Sequence, residues 1–308
     1  MTRSIASKPV FLMCPPEHFT VRYRINPWMQ PEYWAQREAE LLAQARAGWE
    51  RLTRTLEDLG ASLVMLPPKE GLPDLVFTAN AAVVLDGIAL LARFKHPERT
   101  GEEPHVARFF ADLQRQGLIT EVRELPPGVM LEGAGDCVWD STRGLFWMGW
   151  GQRSDGDACA AVRETFHRRV IPLQLVDPRF YHLDTCLCPL EGGHVLYVPE
   201  AFSTAGLQQI EANVPRSMRI AVGPEDASQL AANAVGFGQH VVLSRCSAAL
   251  RASLTAAGYS VHEVDIPQFA LSGGSVCCLT LRLDRRSSGR RRQTATKGAM
   301  TLHDTTAA

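Results

Sequence analysis

The sequence has no long hydrophobic run and no excess of charge of either sign. No apolar segment approaches the roughly 20 residues of a membrane-spanning helix, and the run at residues 10–14 is too short for the core of a signal peptide. Because 32 Lys and Arg stand against 33 Asp and Glu, the body of the protein is not expected to carry a nucleic-acid-binding surface. These absences predict a cytoplasmic protein that binds neither membranes nor nucleic acid.

Cysteine is present, but not in the pattern of a disulfide-rich or zinc-binding protein. The eight cysteines are spread through apolar segments, which favours reduced thiols. The nearest approach to metal-ligand spacing is His182 with Cys186 and Cys188, but a zinc site needs about four ligands. Both cysteines also fit the buried face of an alternating strand. We therefore predict no metal site and no other cofactor.

A unit of strand, hairpin and helix recurs along the chain roughly every 50–55 residues. The first hairpin is expected to turn at Asp86-Gly87, a dipeptide typical of tight hairpins. The predicted helices, read from apolar spacing, lie at 31–59, 102–116, 156–168, 203–214 and 248–256. The predicted strands lie at 11–13, 62–66, 75–85, 88–94, 121–125, 137–139, 145–150, 170–175, 185–189, 195–198, 218–222, 234–236, 241–243, 259–264 and 276–283.

This repetition predicts an α/β protein in which five units form a closed ring. An open array would need capped ends that the sequence does not show, so the last strand is expected to return to the first. A single domain would then span residues 1–284. From residue 285 onward Ser, Thr, Arg and Gly dominate without periodicity, which predicts a disordered basic tail over 285–308.

Each unit carries a polar cluster where its hairpin begins. The clusters fall at residues 74–80, 132–136, 182–185, 233–234 and 273–278. In a ring of equivalent units these positions converge on the axis. A thiol, an imidazole and several carboxylates would then share one pocket, an arrangement that shifts pKa values and activates a thiolate.

The adjacent thiols of Cys277 and Cys278 lie in the last cluster, on the strand predicted at 276–283. Successive side chains on a strand point to opposite faces, so only one of the two can face a given pocket. One is a candidate nucleophile and the other is expected to pack in the core. The alternative is that both are small buried apolar residues, because free cysteine is often buried.

Three motifs in order make the chain resemble the guanidino-group-modifying enzymes: Glu132 in Glu-Gly-Ala-Gly-Asp, His182 in His-Leu-Asp, and Cys278 in Cys-Leu-Thr. That superfamily comprises arginine deiminase, dimethylarginine dimethylaminohydrolase, agmatine deiminase and the amidinotransferases, and it shares a fivefold pseudosymmetric α/β propeller. The resemblance covers about residues 8–283 by the repeat count. It implies that Cys278 is the nucleophile, His182 the general acid and base, and that Glu132 and Asp184 hold the guanidinium. The Glu motif has one residue more than the usual Glu-Gly-Gly-Asp.

The resemblance also implies a set of substrate-binding residues. Phe77 to Asn80 is similar to the Phe-Thr-x-Asp of the deiminases, but with Asn80 where they have an aspartate. A subgroup resembling arginine dihydrolase shares this asparagine, the Asn-Pro-Trp-Met loop that contains Asn26, and the Glu-Gly-Ala-Gly-Asp motif. Arg93 and Arg153 resemble arginines that clamp a substrate carboxylate, the alternative being surface solvation. Asn26 either lines the pocket or only makes the Asn-Pro turn.

The implied activity is hydrolysis of the guanidino group of arginine through a covalent thiouronium intermediate, giving citrulline or ornithine. The only partner then required is a small molecule, arginine or a substituted arginine. The alternatives are dimethylarginine dimethylaminohydrolase, an amidinotransferase that uses an amine in place of water, and a binding protein on the same ring fold. The sequence leaves open the substrate's N-substituents and the oligomeric state, including a homo-oligomer.

Overall fold

Five three-stranded sheets surround a common axis in the computed structural model, which describes residues 8–287. In every sheet the inner strand is antiparallel to the middle strand, and the middle strand is parallel to the outer one. The predicted fivefold α/β propeller is thereby confirmed. No helix within these residues is long and apolar enough to cross a membrane.

The strands are numbered in chain order. They are β1 Val10–Met13, β2 Ser62–Met65, β3 Ala82–Leu85, β4 Ile88–Leu91, β5 Glu121–Arg123, β6 Cys137–Asp140, β7 Leu145–Trp150, β8 Arg169–Gln174, β9 Leu187–Pro189, β10 Val195–Tyr197, β11 Arg219–Ala221, β12 Val235–Phe237, β13 His240–Leu243, β14 Ser260–Glu263 and β15 Leu281–Arg282. Four sheets take three consecutive strands each, beginning with β3, β6, β9 and β12.

The fifth sheet closes the ring, because it joins the two ends of the chain. Its order is β15-β1-β2. Leu281 of β15 lies opposite Leu12 of β1, and β1 then pairs in parallel with β2 from Val10 to Met13. The sequence prediction that the last strand returns to the first is confirmed, and the closure brings the C-terminal turn that carries Cys278 to the axis.

The helices are α1 Pro31–Gln36, α2 Glu38–Asp58, α3 Pro97–Thr100, α4 Glu102–Arg115, α5 Ala158–Phe166, α6 Thr204–Asn213, α7 Pro224–Ala227, α8 Ala248–Ala256 and α9 Pro267–Ala270. The N-termini of α6 and α8 are capped by Ser203 and Ser247, whose hydroxyl oxygens each accept a hydrogen bond from a first-turn amide at 3.2 Å. One face of α2 is buried at helical spacing, and the helix packs onto β2 in the sheet that closes the ring.

Turn chemistry fixes the hairpin that joins β3 to β4. Asp86 and Gly87 both have positive φ, +55° and +84°, as a type I′ turn requires. A side chain at Gly87 would lie 2.8 Å from Thr120 Oγ1, so glycine is also needed for the close approach of the next strand. The Asp86-Gly87 prediction is confirmed.

Three predicted elements differ from the structure. The helix predicted at 31–59 is two helices, because Arg37 between α1 and α2 has φ −136°, outside the helical region. The strand predicted at 75–85 begins only at Ala82, since Pro73–Val76 and Thr78–Asn80 form 3-10 turns. The strand predicted at 276–283 is reduced to β15, and the residues before it form a turn.

The first three residues of the tail predicted at 285–308 are among the described residues. Residues 285–287 run beside the β3–β4 hairpin, with the Asp86 amide donating to the Arg285 carbonyl at 2.9 Å and the Ser287 amide donating to Asp86 Oδ1 at 2.8 Å. Residues 288–308 lie outside the described residues, so the disordered tail stays a prediction.

Candidate active site

Short turns at the start of the inner strands hold the predicted catalytic residues. A 3-10 turn precedes β3, β6 and β9, and these turns contact one another around the axis. Asn80 lies in the first turn, Glu132 caps the second, and the third contains Asp184 and is capped by His182. On a strand, neighbouring side chains would point to opposite faces. In these turns, side chains that are close together in the sequence can both point toward the axis.

Gly133 allows two of these turns to meet. Its φ is +64°, a conformation that L side chains rarely adopt, and a Cβ atom there would lie 2.7 Å from the Ala79 carbonyl oxygen. The backbone of the Glu132 turn therefore sits directly against the backbone of the Asn80 turn. This contact explains why glycine follows the glutamate of the motif.

Glu132 is fully buried and is surrounded by donors. His182 Nε2 lies 2.7 Å from its Oε2 atom, and Arg153 Nη1 donates to the same oxygen at 3.0 Å. The main-chain amide of Lys95 donates to Oε1 at 3.2 Å. Arg153 also stacks on the ring of Tyr181, 4.6 Å from its centroid. The structure thus brings Glu132, His182 and Arg153 together.

The pKa values of Glu132 and His182 are both shifted, and the shifts place the negative charge of the pair on Glu132. Burial alone would raise the pKa of Glu132, but the hydrogen bond from His182 and the charge of Arg153 outweigh it and hold that pKa well below its usual range. Burial lowers the pKa of His182 to about 4, even though Glu132 opposes this shift. At neutral pH the glutamate is therefore ionised, and the imidazole is neutral with Nε2–H directed at it.

Cys278 lies against Asp184 and Asn233. Its sulfur is 3.3 Å from Asp184 Oδ2 and accepts from the Asn233 amide nitrogen at 3.1 Å. That amide nitrogen also donates to the Asp184 carbonyl at 3.0 Å, and the Asn233 side-chain oxygen accepts from the Cys278 main-chain amide at 3.2 Å. Asn233 thus ties the thiol turn to the aspartate turn.

Burial opposes ionisation of both the thiol and the aspartate. Burial, reinforced by the nearby Asp184, raises the pKa of Cys278 well above its usual range. Burial likewise raises the pKa of Asp184 to about 7, although hydrogen bonds from Cys278 and Asn233 lower it in part. Among residues 8–287 the Asp184 Oδ1 atom is buried without a hydrogen-bond partner. An acceptor beside a thiol is therefore left free, and a cation bound there would favour both anions.

Cys277 and Cys278 do not lie on a strand, so the geometric premise for separating them was wrong. The Thr280 amide donates to the Cys277 carbonyl at 2.9 Å and the Leu279 amide to the Ser275 carbonyl at 3.3 Å, which makes residues 276–279 a helical turn. Consecutive side chains on such a turn still diverge, by roughly 100°. Cys278 faces Asp184, whereas Cys277 is half-buried and lines a separate cavity.

Asn80 is held by two partners that leave it a single orientation. Its amide nitrogen donates to the Glu132 carbonyl at 3.0 Å, and its oxygen accepts from Arg99 Nη1 at 2.9 Å. Arg99 is itself buried and forms a paired contact with Glu102, at 2.8 and 2.9 Å. Asn80 is therefore in the cluster, and these partners use one N–H and one oxygen lone pair of its amide, leaving one of each for a ligand.

Asn26 and Phe77 form part of the wall beside the thiol turn. The Asn26 amide nitrogen donates to the Ser272 carbonyl at 3.0 Å, and its oxygen accepts from the Trp28 amide at 2.9 Å. A side chain at Gly273, where φ is +91°, would lie 2.8 Å from both Asn26 Oδ1 and the Tyr181 hydroxyl. Phe77 is buried among Phe19 and Phe269, with its ring edge against Gly274.

Arg93 is the predicted site residue that the structure does not bring to this cluster. Its guanidinium donates to main-chain carbonyls: to Leu125 and Val129 at 3.0 Å each, and to Pro126. Its backbone pairs with Leu131, next to Glu132. In this structure the side chain braces the loop at 125–129, and its assignment as a carboxylate clamp stays a prediction.

Asp136, the aspartate at the end of the Glu-Gly-Ala-Gly-Asp motif, acts as a cap. Its Oδ1 accepts from the Leu183 amide at 3.0 Å, and its Oδ2 accepts from the Ser154 hydroxyl at 2.6 Å. The Ser154 oxygen in turn accepts from the Glu132 amide at 3.0 Å. This chain of bonds fixes the Glu132 turn relative to the His182 turn.

The sequence placed Asn233 in the fourth polar cluster without predicting its role, and it gave no prediction for two further residues that matter to this site, Tyr181 and Arg99. Asn233 lies at the start of the fourth inner strand, equivalent to Asn80 in the first, and that equivalence was the available signal. Tyr181 directly precedes the His-Leu-Asp motif. Arg99 carried no signal, because its contact with Asn80 depends on how α3 folds back over the ring.

The chain matches a protein-family model described as "N,N dimethylarginine dimethylhydrolase, eukaryotic" over residues 15–285. It is 39% identical over 272 residues to a bifunctional arginine dihydrolase/ornithine cyclodeaminase, ArgZ, from Synechocystis sp., covering 88% of this chain and 37% of that protein. It is 38% identical over 273 residues to an N(G),N(G)-dimethylarginine dimethylaminohydrolase from Mycobacterium tuberculosis, covering 89% of this chain and 85% of that protein. The chain thus spans little more than a third of the bifunctional relative.

Solved structures show the same likeness. The crystal structure of the N-terminal domain of ArgZ from cyanobacteria, a cysteine-to-serine mutant bound to substrate, superposes with a TM-score of 0.85 at 37% identity, covering 91% of this chain and 100% of that one. A dimethylarginine dimethylaminohydrolase adduct with S-methyl-L-thiocitrulline superposes with a TM-score of 0.70 at 20% identity. That second likeness establishes the shared fold alone.

Proposed function

Because this chain belongs to the dimethylarginine dimethylaminohydrolase family, we propose that it hydrolyses the guanidino group of arginine through a covalent intermediate on Cys278. The relatives supply a precise substrate: ArgZ and the similar AgrE of Nostoc sp. are named as arginine dihydrolases. Ornithine is accordingly the proposed product, with citrulline as the product if hydrolysis stops after one step.

The observation that carries this proposal is the free carboxylate oxygen beside the thiol. Asp184 offers Oδ1, buried and without a partner among the described residues, while its Oδ2 lies 3.3 Å from Cys278. A guanidinium is planar and presents parallel N–H donors to a carboxylate. Seated on Asp184, it would place its central carbon next to the sulfur.

The substrate's own charge prepares the nucleophile. In the empty site burial keeps the Cys278 thiol protonated, but a bound guanidinium stabilises the thiolate and the Asp184 carboxylate together. His182 is neutral and accepts the thiol proton. The thiolate then forms a bond to the guanidinium carbon, giving a tetrahedral adduct.

Collapse of the adduct needs a proton donor, and His182 has become one. The imidazolium is stabilised by the ionised Glu132 at 2.7 Å. It gives its proton to the departing nitrogen, which leaves as ammonia, and a thiouronium remains on Cys278. His182 then takes a proton from water, whose oxygen attacks the same carbon, and loss of the thiolate yields citrulline.

A second turnover of the same kind would convert the ureido group to ornithine, ammonia and carbon dioxide. Over both steps two waters are consumed per arginine, and two ammonia molecules and one carbon dioxide are released. The second step requires the neutral ureide to be held near the thiolate. Asn80 supports this retention, because an amide does not depend on the substrate's positive charge.

The test is a product balance with arginine as the only substrate. We expect ornithine with two equivalents of ammonia, and covalent adduct on Cys278 detectable by intact-mass measurement after acid quench. Cys278→Ala should give neither product nor adduct. Citrulline with one equivalent of ammonia would indicate a single hydrolysis, and methylamines from methylated arginines, in the absence of arginine turnover, would support the dimethylargininase reading instead. Turnover only with an added amine would indicate an amidinotransferase.

A further inference from the structure

A pocket that is partly open to solvent lies on the propeller axis, apart from the catalytic cluster. It is a cavity of about 70 Å³, and its walls are the inner strands β3, β6, β9, β12 and β15. None of the candidate catalytic residues lines it. Cys277 forms part of its lining on the side of the thiol turn, and Arg282 and Arg285, at and beyond the end of β15, also border it.

The walls of this cavity are apolar and carry no anion. Its side chains include Val83, Trp139, Leu187 and Val235, and no Asp or Glu lies among the lining residues that the structure describes. The thiols of Cys137, Cys188 and Cys277 add weakly polar surface. Burial raises the pKa of each of these thiols, so none supplies negative charge.

Arg285, unlike Arg282, forms no ion pair among the described residues; burial lowers its pKa, and the nearby charge of Glu191 opposes this shift only in part. Arg282 donates to Asp284 at 3.2 Å and approaches Glu191 at 3.5 Å. Within residues 8–287 the Arg285 guanidinium forms no hydrogen bond or ion pair, although it lines the cavity. A guanidinium has five donors, and holding it against apolar walls without an acceptor is unfavourable.

We propose that the axial cavity binds a small organic monoanion, a short-chain aliphatic carboxylate, with its carboxylate on Arg285 and its chain between the inner strands. A carboxylate matches the planar donor fork of arginine, and the apolar walls accept the alkyl chain. The cavity, of about 70 Å³, exceeds the roughly 10–15 Å³ that a single water needs, so it has room for a small ligand. Butyrate is a short acid with which this can be tested.

The same chemistry excludes other small metabolites. A zwitterionic amino acid, including the proposed substrate and products, would bring an ammonium group into a space that already holds an unpaired guanidinium and no carboxylate. An inorganic anion would satisfy Arg285 but leave the apolar walls unfilled. The site is therefore distinct from the substrate pocket in both position and ligand class.

A ligand in this cavity would contact the turn that carries the Cys278 nucleophile. The Cys277 main-chain amide donates to the Asn233 carbonyl at 3.3 Å, and the Asn233 side chain contacts the Cys278 sulfur at 3.1 Å. Asn233 thus links Cys277, which would contact the ligand, to the sulfur of Cys278. The ligand would also cover the Cys277 thiol.

Calorimetric titration of the full chain with butyrate tests the proposal, with butyramide as a neutral probe of the same shape. We expect saturable binding of butyrate and none of butyramide over the same concentrations. Arg285→Gln should weaken butyrate binding at least about tenfold. The matched control is Arg286→Gln, because Arg286 is exposed and does not line the cavity; it should leave binding unchanged.

A second measurement uses the wild-type chain, so that it does not depend on whether the Arg285→Gln variant folds. Butyrate should slow alkylation of Cys277 by N-ethylmaleimide, followed by tandem mass spectrometry that separates it from Cys278, and butyramide should not. Absence of saturable butyrate binding, equal binding of butyramide, or unchanged affinity in a folded Arg285→Gln variant would each overturn the proposal. So would alkylation of Cys277 that proceeds at the same rate with and without saturating butyrate.

Discussion

The side-chain oxygen of Asn80 accepts a hydrogen bond from Arg99 at 2.9 Å, and this contact fixes the amide in one orientation. Arg99 can only donate, and the Glu132 carbonyl, 3.0 Å from the Asn80 nitrogen, can only accept. No flipped amide satisfies both. The residue that distinguishes this chain from the deiminase pattern is therefore part of a rigid link between the first and second units of the ring.

Asn80→Asp is expected to shift the product from ornithine toward citrulline. The new carboxylate would still accept the hydrogen bond from Arg99, but its second oxygen would face the Glu132 carbonyl oxygen, and the two acceptors repel each other. Its negative charge would also favour binding of the cationic first substrate over the neutral ureide. The citrulline-to-ornithine ratio at matched arginine conversion measures this. Asn80→Ser, which can keep a donor without adding charge, is the control, and an unchanged ratio in Asn80→Asp would contradict the role assigned to the amide.

Cys278→Ser is expected to abolish turnover, whereas Cys277→Ser should keep most of it. The Cys278 sulfur contacts the side chains of Asp184 and Asn233, while Cys277 lines the axial cavity. Steady-state rates of ammonia release with arginine compare the two variants, and circular dichroism confirms that both are folded. The reverse pattern would mean that the nucleophile has been assigned to the wrong thiol.

Glu132→Gln and His182→Ala are expected to lower kcat by about 10²–10⁴-fold, the usual contribution of general acid–base catalysis. Glu132→Gln should also lower the melting temperature, because it leaves the buried Arg153 without its ion pair. Rates must therefore be measured well below the lower melting temperature. If either folded variant kept near-normal kcat, the proton transfers would have to be assigned elsewhere.

The raised pKa of Asp184, about 7, predicts how the stability of the empty protein depends on pH. An acid whose pKa is higher in the folded state binds more protons when folded, so its contribution to the unfolding free energy falls as pH rises from about 4 to about 7. Asp184→Asn removes this contribution. Denaturant unfolding across that range should show a smaller decline for the variant than for the wild type, and equal slopes would argue that Asp184 is already ionised in the empty site.

Arg153 and Arg93 can be separated by a substrate that lacks the α-carboxylate. If Arg153 clamps that group, Arg153→Lys should raise KM for arginine about tenfold or more and change KM for agmatine much less. Arg93 can bind the α-carboxylate only if its guanidinium releases the loop carbonyls that it now binds. In that case Arg93→Lys should also raise KM for arginine and change KM for agmatine much less. A rise in KM for both substrates, or a lower melting temperature alone, would assign Arg93 to bracing the loop.

Local sequence signals were sufficient for the ring itself. The repeat length, the Asp86-Gly87 turn and the apolar faces of the helices predicted five equivalent units, because each depends on residues close together in the chain. Each of the Glu132, His182 and Cys278 motifs is also local, and their order indicated the family to which the chain belongs. Periodicity failed where the backbone leaves regular structure, as in the turns at 78–80 and 276–279, since tertiary contacts rather than alternation decide those conformations.

By itself the sequence determined that a thiol, an imidazole and carboxylates recur at the start of successive inner strands. Only the tertiary structure decided which partners they have. Burial, which no local pattern reports, raises the pKa of both Cys278 and Asp184. Contacts between distant segments, such as Asn233 with Cys278 and Arg99 with Asn80, exist only because closing the ring brings separate turns to one axis.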